Sequence, residues 1–122
     1  MVNDFHQRLK NLIHQYILLT YKSTKNYPVD ERFGLTSQDR RAAVSVMLNY
    51  VEGYARIKPL VMLNFFETAY GSLKESMYAR FLAKELGFIM VEEHQQAFVL
   101  GEEIGAMLYG TIEGIRKKSI TQ

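Results

Sequence analysis

The chain has 122 residues, 48% of them hydrophobic and 23% charged, with a formal net charge of +2. That composition describes one globular domain over 1–122, able to bury a core without covalent staples. The absence of cysteine excludes disulfides, thiolate zinc sites and a thiol nucleophile, and so small a net charge does not by itself announce a nucleic-acid binder. No stretch reaches the roughly eighteen uninterrupted apolar residues of a membrane span. The opening residues Met1 to Arg8 show no apolar run behind a basic start, so no signal peptide is expected and a cytoplasmic location is.

Apolar residues recur at helical spacing along most of the chain. Phe5, Leu9, Leu12, Ile13, Tyr16, Ile17 and Thr20 mark one face of a first helix that Asn26-Tyr27-Pro28 ends. A polar connection leads to a second helix running to about Arg56. Thr36 is expected to cap its start, with Asp39 completing a variant capping box and Gly34 supplying positive φ in the entry turn. Val44, Met47 or Leu48, Val51 and Tyr54 are expected to form its buried stripe. Pro59 suits the first position of a third helix, along which Leu63, Phe66, Tyr70, Leu73, Met77 and Phe81 recur. Gly87 is the expected left-handed residue just past its end. A fourth helix, from about Glu92 to Lys117, carries Phe98, Gly101, Ile104, Leu108, Ile112 and Ile115 on one face. Long helices joined by short connections predict an all-α, antiparallel, up-down-up-down four-helix bundle.

Two features point beyond a single bundle. Gly101, Gly105, Gly110 and Gly114 in the fourth helix each cost about 1 kcal/mol of helix propensity relative to Ala, which close backbone approach to a neighbouring helix or subunit would offset. Ser45, Gly71 and Gly105 are expected at similar heights, as a layer of small residues. Leu18, Leu19, Val61, Met62, Phe65, Val99 and Leu100 lie outside the main stripes, and surplus apolar surface marks an interface. A homo-oligomer is expected.

No arrangement of residues meets the requirements of a catalytic or metal centre. A di-metal site in a bundle needs inward Glu-x-x-His pairs, yet Asn3, Asn11 and Val91 precede His6, His14 and His94 by three positions. Neither a phosphate-binding loop nor a dinucleotide fingerprint is present, so no cofactor is expected. Arg40, Arg41, Asn49, Glu52 and Arg56 are clustered, but without a nucleophile and base they read as a structural polar network, buried or interfacial, in which Glu52 pairs with an Arg and Asn49 bonds backbone or side chain. Charge placement is more informative. One end of the bundle gathers Arg8, Lys10, Arg56, Lys58, Arg116, Lys117 and Lys118 against Asp4, Glu52 and Glu113. Repeated around an oligomer, such a cap would present phosphates with a basic surface. The plainer reading is a solvated end whose lysines complement a helix dipole.

The segments Phe33-Gly34-Leu35-Thr36-Ser37-Gln38, Arg40 to Ser45, Asn49 with Glu52-Gly53-Tyr54-Ala55-Arg56, Gly71 to Glu75, Ala83 to Gly87 and Glu102 to Leu108 together resemble the four-helix-bundle proteins of 23S ribosomal RNA intervening sequences. That group is similar to the accessory variability determinants of diversity-generating retroelements. The resemblance implies a barrel-like homopentamer and, in the retroelement branch, binding to a reverse transcriptase and to nucleic acid. It supplies no catalytic residues. The functional expectation is therefore a non-enzymatic, oligomeric accessory protein that binds DNA or RNA through Arg56, Lys58, Arg116, Lys117 and Lys118, with Arg40 and Arg41 as secondary contacts. A protein-interaction scaffold without a nucleic-acid role is the alternative.

Overall fold

The computed structural model describes residues 4–121, with side chains as far as Lys118. The leader reading draws on Met1, Val2 and Asn3, which lie outside the described residues. Four helices account for nearly all of the described chain: α1 (Asp4–Thr24), α2 (Leu35–Ala55), α3 (Pro59–Glu85) and α4 (Val91–Thr121). A single 3-10 turn over Val29–Glu31 interrupts the α1–α2 connection, and no strand occurs among the described residues. Among the described residues, no helix is long and apolar enough to cross a membrane.

Each helix has its backbone neighbours in the cycle α1–α2–α3–α4–α1, and the diagonal helices α1 and α3 meet through side chains, Tyr16 on Ser76 and Arg80 on Thr20. Cross-helix pairs fix the directions. His6 stacks on Tyr54 at the start of α1 and the end of α2. Asp39 early in α2 meets Arg80 late in α3, and Phe81 late in α3 meets His94 early in α4. Successive helices are therefore antiparallel, as their short connections require.

The core comprises Leu9, Ile13 and Tyr16 of α1, Ala43, Val46 and Tyr50 of α2, Leu63, Phe66, Ala69 and Leu73 of α3, and Ala97, Ile104, Leu108 and Ile112 of α4. In α2 this stripe differs from the expected one. Leu48, Val51 and Tyr54 are exposed, while Asp39, Ala42, Ala43, Val46, Tyr50 and Gly53 face inward. The reason is close packing of α2 on α3: an added Cβ at Gly53 would sit 2.7 Å from Cε1 of Phe66. Small residues go inside there, and larger apolar ones remain outside. Phe5, Phe81 and Phe98 are likewise exposed, so three other expected core positions lie at the rim.

The helix ends show which local signals matter. Pro59 occupies the first turn of α3, and Gly87 has φ of 80°, as expected for each. Thr36 does not cap α2, and Gly34 has a negative φ. Instead the Glu31 carboxylate, carried by the 3-10 turn, accepts the Leu35 backbone N–H at 2.9 Å, placing a negative charge at the positive end of the α2 dipole. Thr36 and Asp39 are buried in the first turns. In α4, Gly101 packs tightly on Met77 and Gly105 lies in ordinary contact range of Leu73, whereas a Cβ at Gly110 or Gly114 would meet nothing within 4 Å. Gly71 is open in the same sense. The anticipated small-residue layer is therefore not a packed unit inside one chain.

Candidate nucleic-acid interface and a buried polar cluster

The basic residues singled out in the sequence fall into two groups. Arg56 and Lys58 occupy the turn between α2 and α3. Because α3 and α4 are antiparallel, with Met77 against Gly101 and Leu73 near Gly105, Arg116, Lys117 and Lys118 near the end of α4 lie at the same end of the bundle. Arg56 and Arg116 have acidic neighbours. Arg56 pairs with Glu52 one helical turn earlier, and Arg116 pairs with Glu113 at 3.1 Å. The pairs are solvent-exposed, so each holds its cation only weakly. Ile57 is 92% and Leu60 70% exposed at the same turn. The end thus combines cations with bare apolar side chains.

Arg40 and Arg41 lie near the opposite end of α2. The Arg40 Nε donates to Thr24 Oγ1 at 2.7 Å, and its guanidinium lies over the Tyr21 ring, 4.8 Å from the centroid. Arg41 is exposed. Both border a groove of about 370 Å3 together with Tyr21, Val44, Leu48 and Asn49. The Asn49 Nδ2 donates to the Ser45 carbonyl and hydroxyl, both at 2.9 Å, and Ser45 Oγ lies 2.8 Å from Ser72 Oγ of α3. Glu52 belongs instead to the Arg56 pair. Glu52 thus pairs with an Arg and Asn49 bonds backbone and side chain, as expected of each, but in two separate contacts rather than one network.

The densest polar cluster lies elsewhere, and the sequence reading missed it. Asp39 is 0% and Arg80 1% exposed. The Arg80 Nε donates to Asp39 Oδ2 at 2.8 Å, and its Nη2 donates to Thr20 Oγ1. Ser76 Oγ donates to Asp39 Oδ1 at 2.6 Å; its one proton is then committed, so the Tyr16 hydroxyl donates to Ser76 across 2.9 Å. Tyr27 adds a further hydroxyl to Asp39 at 3.3 Å. Three helices and a loop thus converge on one carboxylate. Burial disfavours the charged guanidinium, but Asp39 together with the Tyr16 and Tyr27 phenols outweighs it, and Arg80 is held above its ordinary pKa. Burial likewise raises the Tyr16 and Tyr27 phenols. The adjoining space, bordered by Arg80, His94, Met77 and Phe98, measures about 10 Å3, near the size of one water. The cluster is closed to any substrate. Among the described residues, no three His, Cys, Asp or Glu side chains are grouped to hold a metal.

A model of the 23S rRNA-intervening sequence proteins matches residues 7–110. The chain belongs to this family. A solved relative is a protein of unknown function from the S23 ribosomal protein family of Bacteroides thetaiotaomicron. It is 18% identical and superposes with a TM-score of 0.78 over 85% of this chain and 97% of that one. At that identity the likeness concerns the fold. No curated protein sequence matches the chain.

Two histidines tie this family member's stability to pH. His6 approaches the Tyr50 hydroxyl at 2.7 Å through Nδ1, and its pKa is lowered by burial and then by Lys10. His94 is lowered by burial, then by Lys84 and Arg80, against a smaller opposing effect of Glu85. Both groups resist protonation when folded, so their contribution is complete above the ordinary value of 6.5. It is lost as pH falls below that value, because the unfolded chain takes up the proton first. Urea midpoints are expected to drop between neutrality and about pH 5, and the combined His6→Phe and His94→Gln substitutions should flatten that part of the profile. An unchanged slope in the double variant would contradict the assignment.

Proposed function

We propose that this chain is a non-enzymatic, oligomeric accessory protein that binds nucleic acid through the basic end of the bundle. The observation that carries the reading is the convergence of Arg56 and Lys58 with Arg116, Lys117 and Lys118 at one end, beside exposed Ile57 and Leu60. Phosphates would meet the cations by counterion release, and the apolar side chains offer bases or sugars a surface without sequence preference. The reading needs no catalytic step. The most concentrated titratable cluster, around Asp39 and Arg80, is sealed, and Asn49 and Glu52 do not converge in one pocket. On the resemblance drawn from the sequence alone, we extend the proposal to a cytoplasmic partnership with a retroelement reverse transcriptase, in a pentameric particle without cofactors.

The test is titration of labelled single- and double-stranded DNA and RNA at two salt concentrations. Binding should weaken steeply with salt and depend little on sequence. Replacing all five basic residues by Gln should lower affinity at least tenfold at low salt, with assembly preserved. Equal binding by that variant would eliminate the basic end as the contact, and no binding by the native chain would favour the interaction scaffold. That second reading has its own support: Leu18, Leu48 and Val51 are exposed on the sides, and Glu52 and Glu113 offset part of the end charge. Co-purification with a co-expressed retroelement reverse transcriptase tests the partnership separately.

A further inference from the structure

The sides of the bundle differ in charge as well as in shape. From Val91 to Ile115, α4 carries Glu92, Glu93, Glu102, Glu103 and Glu113 and no lysine or arginine; within the chain Glu102, Glu103 and Glu113 already face Lys74, Arg8 and Arg116, so the acidic surplus lies chiefly at Glu92 and Glu93. Helices α1 and α2 carry Arg8, Lys10, Lys22, Arg40 and Arg41 against Asp4 and Glu52, the third carboxylate, Asp39, being buried with Arg80. Because α2 and α4 are diagonal in the helix cycle, their outer faces point in opposite directions. The α2 side is concave and partly apolar, with a groove of about 370 Å3 bordered by Arg41, Val44 and Leu48; Leu48 is 63% exposed. The α4 side presents exposed Ala106, Gly110 and Gly114, and nothing in the chain occupies the space over either glycine.

We infer that the outer face of α4 docks on the α1–α2 face of a second copy of this chain, head to tail. The assignment rests on the proposed oligomeric state and specifies the surfaces that make it. Like-on-like contacts are disfavoured by charge: α2 against α2 brings Arg40 and Arg41 toward their own copies, and α4 against α4 opposes glutamates. The mixed contact places cations against carboxylates. It also lets the glycine-bearing helix approach the Leu48 groove closely, which compensates for Gly110 and Gly114 in a way the isolated bundle does not. Each chain then uses two different faces, as a heterologous interface requires.

The experiment is complementation between two face variants, read by sedimentation velocity. Leu48→Asp disables the α2 face and leaves α4 intact; Gly110→Trp does the reverse, at a position with open space around it. Each variant alone should sediment as a single chain with native helix content by circular dichroism. An equimolar mixture should form a heterodimer and nothing larger, joined through the one intact pair of faces. A second pair, Arg41→Glu with Ala106→Trp, serves if either first variant loses helicity. A native protein that is a single chain at all concentrations overturns both the oligomeric reading and this assignment. A native oligomer from which either variant still assembles alone, or whose variants do not combine, overturns the face assignment only.

Discussion

Asp39→Ala is expected to lower the free energy of unfolding by about 3–5 kcal/mol, the cost of stranding a buried cation. Arg80 has 2% side-chain exposure and, among the described residues, no second carboxylate within ion-pair distance. Removing Asp39 leaves the guanidinium with a hydroxyl from Thr20 and the face of the Tyr16 ring, 5.4 Å away. Neither replaces a carboxylate. Arg80→Met should be comparably damaging, because Asp39 would then keep only the hydroxyls of Ser76 and Tyr27. The double change Asp39→Leu with Arg80→Met should recover much of either loss, since two uncharged side chains require no desolvation of ions. Denaturant unfolding of the four proteins gives the coupling directly. A single-variant loss below about 1 kcal/mol would show that the pair is not desolvated as described.

The second large effect concerns a glycine. Ala for Gly inside a helix normally stabilises by about 1 kcal/mol. At Gly53 the added methyl group would lie 2.7 Å from Cε1 of Phe66 and 3.0 Å from Cβ of Phe65. Phe66 is 1% exposed and has no free space to turn into, so overpacking of about 1–3 kcal/mol outweighs the propensity gain. Gly53→Ala should therefore destabilise. Gly110→Ala, with nothing within 4 Å of the new atom, should stabilise when measured at concentrations where the chain is single. Shifts of the same sign in the two variants would contradict the close α2–α3 approach.

These two sites also show what the sequence revealed and what it hid. The bundle was legible because four long segments repeat apolar residues at helical period and because Pro59 and Gly87 mark ends of α3 by backbone chemistry alone. The buried face of α2 was not. Periodicity ranks residues by hydrophobicity, so it selected Val44, Met47 or Leu48, Val51 and Tyr54 over Asp39, Ala43 and Gly53, and of these Met47 does pack against the core. Where two helices approach closely, size decides instead. The Asp39–Arg80 pair spans 41 positions, and neither residue carries a local sign of burial. The available hint was Arg80 sharing a helical face with Leu73, Ser76 and Ala83, which a charge count by height passes over. At the candidate interface, the basic residues could be assigned to one end from helix direction alone. Their pairing with Glu52 and Glu113 is a one-turn relation along each helix, and the spacing alone could have suggested it.

Helix α4 has 31 residues against 21 in α1, a difference of roughly 15 Å in length. Among the described residues its last buried one is Ile112, with Ile115 half-buried against the core, so Arg116 and Lys118 lie just beyond that packing. Amide hydrogens there should exchange with solvent long before those of Ile104 or Leu108. A polyanion that grips Arg116 and Lys118 must order the turn that carries them. Part of the attraction is spent on ordering, and the contact should tighten if the tip were clamped beforehand, for instance by a covalent tether to α3.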